Sequence, residues 1–414
     1  MHKRWKLLAI SAVAALGAGL LAGCSSGGSG SGSDTISIWY RPGSLPTAAI
    51  NGVKKEFPDA KISLLKTPDV DTKLAAALRT GQNIPSIAVT NVFTFSNALD
   101  KFVDVNKYGF KKDADQYLPW KVKTLQSKSG QQVAIPIDIG PIGFYYRSDV
   151  FQAAGLPTDP ADVGKLVSTW DSYRQTAEKI KASSGGFICD AADASLYRAQ
   201  RFQQGYYYYT DAGKVDAGTA LSKSTFTDSI QFAEDGLCLN AEPYATDWNA
   251  GVAQNKLVGW VGPAYQAGLM KTAAPNESGK WRVATPPGGP ASTTGSSLSV
   301  LKATPDAALA TKIAEWLTNP TNMAAGYAQD SLFPSTPDSF TSPAMAKPDE
   351  YFGGQVTTDV LGPIAKQTPY IFIGPSSTNI EAAFSNAITN AVAKKTNPEA
   401  AWSKVLKQVQ QQYK

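Results

Sequence analysis

Apolar and polar residues alternate in short stretches at 35–40 and 61–65, and an apolar stretch follows at 86–90. The segments between them, 48–57 and 70–79, carry apolar residues at helical spacing, and we expect Asp71 to cap the start of the second helix and Gly81 its end. Strand, helix and strand in this order predict a parallel sheet with helices on its faces. Ligands of such sheets gather at the carboxyl ends of the strands.

Three later segments carry clearer helical patterns, at 304–317, 380–392 and 398–409. Each repeats apolar residues three and four positions apart, which is typical of a helix that buries one face in a core. No internal repeat is visible. Stretches rich in proline at 286–290 and 334–343 are typical of connections between compact parts of a chain.

The first residues have the composition of a secretory signal. Three basic residues precede an apolar run at 7–21, which is too short to span a bilayer comfortably, and the run closes on Leu21-Ala22-Gly23-Cys24. This ending resembles a bacterial lipobox, which implies a signal peptide at 1–23 and lipid on Cys24. Residues 24–33 then form a Ser/Gly tether. The alternative is a transmembrane helix with a chance cysteine.

The remaining chain is nearly neutral. Three of the 39 Lys and Arg residues lie in the signal, so the rest almost balance the 34 Asp and Glu residues, and no basic surface for nucleic acid is expected. The only histidine, His2, leaves with the signal. This excludes catalytic triads and zinc sites that need imidazole, and neither a cofactor nor a metal is expected.

Two cysteines, Cys189 and Cys238, remain in a compartment that favours oxidation. We expect a disulfide between them, and two separately buried thiols are the alternative. The Ala- and Gly-rich composition together with the lipid tether favours a Gram-positive surface, on the outer side of the cell membrane.

Several segments, read in order, resemble the extracellular solute-binding proteins of carbohydrate ABC importers, the family that includes the maltose-binding protein. The strongest is 133–157, with Val-Ala-Ile-Pro-Ile-Asp-Ile-Gly at its start and the paired tyrosines Tyr145 and Tyr146, followed by Thr-Trp-Asp at 169–171. Residues 248–251, 258–263 and 281–286 support the resemblance. The chain departs from the family at Pro85-Ser86 and at 253–256, where relatives carry Pro-Asp and Gly-Lys-Met-Ala.

The resemblance implies an α/β fold of the type II periplasmic-binding-protein class, with two lobes that are each built on a mostly parallel sheet. Residues 34–135 and 287–330 would form the N-terminal lobe, and 136–286 and 331–414 the C-terminal lobe. Three crossovers, near Ile135, Pro286 and Ser331, would act as hinges around a ligand cleft.

The implied function is capture of a di- or oligosaccharide and its delivery to the membrane permease subunits of an ABC importer, by a monomer that is not an enzyme. The alternative is a lipoprotein glycoside hydrolase with Asp138 and Asp190 as acid and nucleophile, which would need the two carboxyls about 5 to 10 Å apart.

A sugar site needs aromatic rings to stack on C–H faces and polar groups to bond the hydroxyls. Each candidate also has an ordinary structural role as its alternative: a core, turn or hinge position. Trp260 and Tyr265 are the strongest candidates, since the family places a stacking aromatic there, whereas Trp248 is assigned to the core. Tyr146 is the alternative to Tyr145, because neighbours on a strand point to opposite faces, and Asp193 is the alternative to Asp190. The candidates for ligand binding are Trp39, Tyr40, Arg41, Asn91, Asp138, Tyr145, Asp190, Tyr207, Trp260, Tyr265 and Phe333.

Overall fold

A computed structural model describes residues 34–205, 208–210 and 213–413, and these fold around two β-sheets. The predicted signal, Cys24 and the tether lie outside the described residues, as does Tyr207. Among the helices of the described part, none combines the length and the apolar content that crossing a bilayer requires.

The first sheet has the strand order β2-β1-β3-β9-β4. Strand β1 pairs in parallel with β2 and β3, while β9 runs antiparallel to both β3 and β4. The second sheet has the order β6-β5-β7, and β8 also pairs with β5. The strands are β1 Ile36–Tyr40, β2 Ile62–Lys66, β3 Ile87–Thr90, β4 Ile135–Pro136, β5 Gly140–Arg147, β6 Gly259–Pro263, β7 Trp281–Ala284, β8 Ser292–Thr293 and β9 Ser297–Val300.

The expectation of a mostly parallel second sheet is wrong. Strand β5 runs antiparallel to β6, β7 and β8. The partners of β5 come from distant parts of the chain, so the local apolar pattern carries no information about their direction.

Helices cover both sheets. Those of the described residues are α1 Thr47–Glu56, α2 Val70–Thr80, α3 Pro119–Thr124, α4 Ser148–Ala153, α5 Pro160–Leu166, α6 Trp170–Ser184, α7 Ala199–Gln203, α8 Ala220–Glu234, α9 Thr246–Ala253, α10 Gln266–Ala273, α11 Ala307–Leu317, α12 Pro320–Asp330, α13 Thr358–Gln367, α14 Ser377–Lys394 and α15 Pro398–Gln412. A π-helical turn, Ala192–Arg198, precedes α7.

Local signals explain several helix ends. Thr169 and Ser172 form a capping box at the start of α6, and the side chain of Asn397 accepts a hydrogen bond from Ala400 N at the start of α15. Gly81 closes α2 with a left-handed φ of 72°. Asp71 is not the cap that we expected: Asp69 holds that position, and Asp71 lies in the first turn of α2.

Each sheet packs its own apolar core. Ile36, Ile38, Val89 and Leu298 belong to a cluster on the first sheet, and the two faces of β5 lie in different clusters, with Phe144 and Tyr146 on one side and Tyr145 on the other. The chain passes between the sheets at 137–139, 294–296 and 331–334. The second crossing comes later than the expected position near Pro286, because Ser292 and Thr293 still pair with β5. Cys189 and Cys238 form a disulfide in the cluster that contains Phe144 and Tyr146, and this is the pairing that we expected from the sequence.

Candidate functional site

Polar side chains from three strand ends of the first sheet meet the crossing segments. Arg41 follows β1, Asp71 begins α2 after β2, and Asn91 follows β3. The Arg41 guanidinium bonds Asp71 Oδ2 at 3.0 Å and donates to Ser296 Oγ at 3.2 Å. We call Arg41, Asp71, Asn91, Asp138 and Ser296 the junction cluster.

Asp138 ties two crossing segments together. Its Oδ1 accepts a hydrogen bond from Ser296 N at 2.7 Å. The neighbouring position needs glycine, because Gly295 has a φ of 59° and a Cβ there would collide with the Asp138 carbonyl. Burial raises the pKa of Asp138, and the nearby Lys121 ammonium partly offsets the rise. The conformation of the crossing therefore depends on Asp138.

Lys121 supplies the opposite charge in this region. It is almost fully buried and donates to the carbonyl of Thr294. Burial lowers the pKa of Lys121 to about 8, against the attraction of Asp138. Asp138 and Lys121 thus hold the segment 294–296 from both sides.

Two acceptor oxygens in the junction cluster have no donor among the described residues. Asp71 Oδ1 and Asn91 Oδ1 are buried, and neither has a hydrogen-bond partner among the residues that the structure describes. Burial also raises the pKa of Asp71, and the Arg41 charge and a hydrogen bond from the Asn91 backbone N–H to the carboxylate oppose the rise. Buried polar atoms of proteins are nearly always bonded, so a hydroxyl-bearing molecule would satisfy both oxygens.

A second group of side chains approaches the same crossing from the second sheet. A Cβ on Gly140 would lie 2.9 Å from Pro263 Cβ and 3.0 Å from Tyr265 Cε1, so the crossing runs directly against Tyr265. Burial raises the pKa of Tyr265, and hydrogen bonding to Tyr244 partly offsets the rise. Tyr244, Tyr265, Arg198 and Thr293 line a small cavity of about 40 Å³.

Tyr244 is the most unusual residue of this cavity. It exposes 56% of its surface, and its backbone φ is 74°, a left-handed conformation that is rare for a bulky side chain. Strain of this kind costs about 1 to 3 kcal/mol and concentrates at functional sites. An exposed aromatic ring beside a polar cluster can stack on a flat apolar face.

The structure brings some of the predicted residues together. Arg41, Asn91 and Asp138 lie in the junction cluster, and Tyr265 lies against the same crossing. Trp39 and Tyr40 are half-buried and pack on opposite faces of the first sheet. Neither contributes a polar contact to the cluster.

Trp260 does not present a stacking face, so its prediction is wrong for this structure. It is fully buried, with its ring centroid 5.0 Å from that of Trp248, 5.3 Å from that of Trp281 and 5.5 Å from that of Tyr145. Its indole N–H donates to Gln266 Oε1 at 2.8 Å. The Trp260 ring and its indole nitrogen therefore contact only other residues of the protein core.

Two other aromatic candidates are also core residues. Tyr145 is buried beneath Trp260 and lines a different cavity, and Phe333 is packed between Tyr327 at 5.4 Å and Phe340 at 5.2 Å, measured between ring centroids. Successive residues of a strand point to opposite faces, and the face that Tyr145 takes leads into the core rather than to the crossing.

Asp190 lines the cavity of Tyr244 but is engaged by the protein. Its carboxylate accepts from Ala191 N at 2.6 Å, from Trp248 Nε1 at 3.2 Å and from the Ser195 hydroxyl. Burial raises its pKa to about 6, against these hydrogen bonds. These contacts favour positioning roles, rather than acid and nucleophile roles, for Asp190 and for Asp138.

Sequence reasoning missed Asp71, Lys121, Ser296, Arg198 and Tyr244. Asp71 had a usable signal, since it follows the carboxyl end of a parallel strand as Arg41 and Asn91 do. The others come from segments with no strand-end or motif signal of their own.

Comparisons with known proteins agree with this architecture. A family model described as bacterial extracellular solute-binding protein matches residues 48–353. A lactose-binding protein of Rhizobium radiobacter is 25% identical over 380 residues, which cover 84% of this chain and 86% of that protein.

Solved structures extend the likeness to the whole described body. A structure described as an extracellular solute-binding protein of family 1 has a TM-score of 0.84 and 26% identity, over 91% of this chain and 99% of the other. The galacto-N-biose/lacto-N-biose I-binding protein of the ABC transporter from Bifidobacterium longum, in complex with lacto-N-biose, has a TM-score of 0.75 and 19% identity, over 90% and 95% of the two chains. The two-lobed α/β fold expected from the sequence is thereby confirmed.

Proposed function

This chain belongs to the family of bacterial extracellular solute-binding proteins, and we propose that it captures a di- or oligosaccharide between its two sheets and delivers it to an ABC importer. The family serves carbohydrate transport, and its members act as binding proteins rather than enzymes. A lactose-binding relative and a structural neighbour in complex with lacto-N-biose support a sugar as the ligand.

The observation that carries the proposal is the pair of buried oxygens, Asp71 Oδ1 and Asn91 Oδ1, for which the described part of the chain supplies no donor. Both lie at carboxyl ends of the first sheet, where ligands of such sheets bind. Sugar hydroxyls would donate to these oxygens. Arg41 and Ser296 hold Asp71 and the crossing in place, and the exposed ring of Tyr244 would stack on the sugar face.

Closure of the two halves around the sugar would signal the loaded state. Lys123 Nζ lies 3.9 Å from the ring centroid of Tyr370, and Lys128 Nζ lies 5.9 Å from that of Phe372, so cation–π contacts join α3 and the turn after it to the loop before α14. Each is worth about 0.5 to 1 kcal/mol at an exposed site. A ligand that bonds both halves would outweigh contacts of this size and shift the population toward closure.

The proposal also includes the location of the protein in the cell. The family is extracytoplasmic. Lipid on Cys24 would hold the folded body at the outer side of the membrane, near the permease, with 24–33 as a flexible tether. The chain would work as a monomer on a Gram-positive surface.

A thermal-shift screen of residues 34–414 tests the proposal, with lactose, lacto-N-biose and maltose as ligands. A ligand at 100 times its Kd stabilises the folded state by about 2.7 kcal/mol, so at least one sugar should raise the melting temperature by several degrees. Chromatography of the recovered sugar should show it unchanged. No shift with any member of a broad saccharide panel, or hydrolysis of the sugar, would overturn the proposal.

A further inference from the structure

A second cavity, separate from the junction cluster, is lined by Tyr145. It has a volume of about 230 Å³ and lies between α10, the end of α12 and the segment 344–357. We call it the Tyr145 cavity, and its main lining residues are Tyr145, Ala267, Lys271, Tyr327, Asp349 and Phe352. None of the junction-cluster residues lines it.

The hydroxyl of Tyr145 is the unusual group in this cavity. Its ring is held by Trp260, whose centroid lies 5.5 Å away, and by Phe352 at 6.1 Å. Its oxygen is buried and has no hydrogen-bond partner among the described residues. Buried tyrosine hydroxyls normally have one.

Neighbouring tyrosines of the same core show the usual behaviour. The Tyr327 hydroxyl bonds Thr357 Oγ1 at 2.8 Å, and the Tyr351 hydroxyl donates to Ala274 O at 2.8 Å. Among these three tyrosines, only Tyr145, which lines the cavity, has a hydroxyl without a partner in the described part of the chain.

The charges of the lining indicate a neutral ligand. Lys271 pairs with Asp349 at 2.6 Å, and the exposed Lys347 and Glu350 add one charge of each sign. The lining thus carries no net charge to select an anion or a cation. Phe352, almost fully buried, adds an aromatic wall.

The size of the cavity limits the ligand. Its volume equals the liquid volume of roughly eight water molecules at about 30 Å³ each, and it is below the ~300 Å³ at which pockets for drug-sized ligands begin. An oligosaccharide does not fit, whereas a single sugar ring is compatible with this volume.

We propose that the Tyr145 cavity is a second binding site, for a neutral polyol of monosaccharide size that hydrogen-bonds the Tyr145 hydroxyl and packs against Phe352. The site does not depend on the proposed oligosaccharide function, since the two sets of residues are distinct.

Amide chemical shifts of ¹⁵N-labelled residues 34–414, titrated with myo-inositol and with D-galactose, test the site. We expect saturable shifts centred on Ala267, Ser331 and Phe352, also in the Asp71→Ala background, where the junction cluster is disabled. Ala267→Leu fills the cavity and should abolish them. Tyr145→Phe should weaken binding about fivefold, the effect of one hydrogen bond.

Tyr351→Phe is the matched control, because it removes a hydroxyl that the protein already bonds and that does not line the cavity; affinity should stay within twofold of wild type. Absence of saturable shifts with either probe would overturn the proposal. It would also be overturned by shifts that persist in Ala267→Leu, or by equal affinity in wild type and Tyr145→Phe. The melting temperature of each variant checks that it is folded.

Discussion

Replacement of Asp71 by alanine should weaken sugar binding strongly while changing stability little. Asp71 Oδ1 is a buried carboxylate oxygen with no partner in the described part of the chain. A sugar hydroxyl would therefore add a hydrogen bond to those that the carboxylate accepts from Arg41 and from the Asn91 backbone N–H. A hydrogen bond to a charged group contributes about 1.5 to 3 kcal/mol, which corresponds to roughly 10- to 150-fold in affinity.

The cost in folding stability is smaller. The ion pair with Arg41 is partly exposed, with 25% of the Arg41 side chain and 36% of the Asp71 side chain accessible. Screening by solvent limits such a pair to about 1 kcal/mol or less. Asp71→Asn keeps an acceptor and should fall between wild type and Asp71→Ala in affinity.

Isothermal titration calorimetry with the best sugar of the panel measures the effect. Asp69→Ala is the control, because Asp69 is an exposed carboxylate two residues earlier whose side chain caps nothing. If Asp71→Ala binds within twofold of wild type, Asp71 has no contact with the ligand and the junction cluster loses its assigned role.

Four further predictions concern other parts of the chain. Tyr244→Ala should weaken sugar binding about tenfold by calorimetry, since a stacking ring contributes about 1.5 kcal/mol, and unchanged affinity would remove it from the site. Because burial raises the pKa of Asp190 to about 6, the folded state holds its proton more tightly than the unfolded state. Relative to Asp190→Asn, wild type should therefore lose on the order of 3 kcal/mol of unfolding free energy as pH rises from about 3 to 7 in urea melts, and parallel curves would contradict this. Removing the disulfide by changing Cys189 and Cys238 together to alanine should cost about 4 kcal/mol in the same melts, from loop closure over 49 residues, and an unchanged midpoint would refute it. Cys24→Ala should release the protein from cell membranes into the medium without palmitate labelling, whereas retention at the membrane would exclude the lipid anchor.

Three of the five strands of the first sheet could be predicted closely from the sequence, whereas β9 and its antiparallel pairing with β3 and β4 could not. Strands β1, β2 and β3 begin and end within about a residue of the predicted stretches, because the apolar patterns at 35–40, 61–65 and 86–90 are local and glycine or proline separates them. Arg41 and Asn91, which follow carboxyl ends of these strands, lie beside the segment before β9, and their role in binding stays a prediction.

The second sheet could not be predicted in the same way. Tyr145 lies directly opposite Trp260 in the pairing of β5 with β6, and cross-strand partners share one face of a sheet. The two rings therefore stack on each other in the core, a contact between residues more than a hundred positions apart. Neither strand pattern alone distinguishes that face from one that meets a ligand.

Tyr244 illustrates a second limit of prediction from the sequence, which concerns residues in loops. Its role as a candidate stacking residue rests on its left-handed backbone and its exposure, and both follow from how the loop before α9 is held against Tyr265 and Arg198. No strand end, helix stripe or motif marks it in the sequence. When a site is assembled from loops of distant segments, its residues can be identified only from the folded structure.

A crystal structure of residues 34–414 with the tightest-binding disaccharide of the panel tests the central claim most directly. Sugar hydroxyls should lie within about 3 Å of Asp71 Oδ1 and Asn91 Oδ1, with a sugar ring against Tyr244. A disaccharide bound away from the junction cluster, with both oxygens still unpaired, would contradict the account.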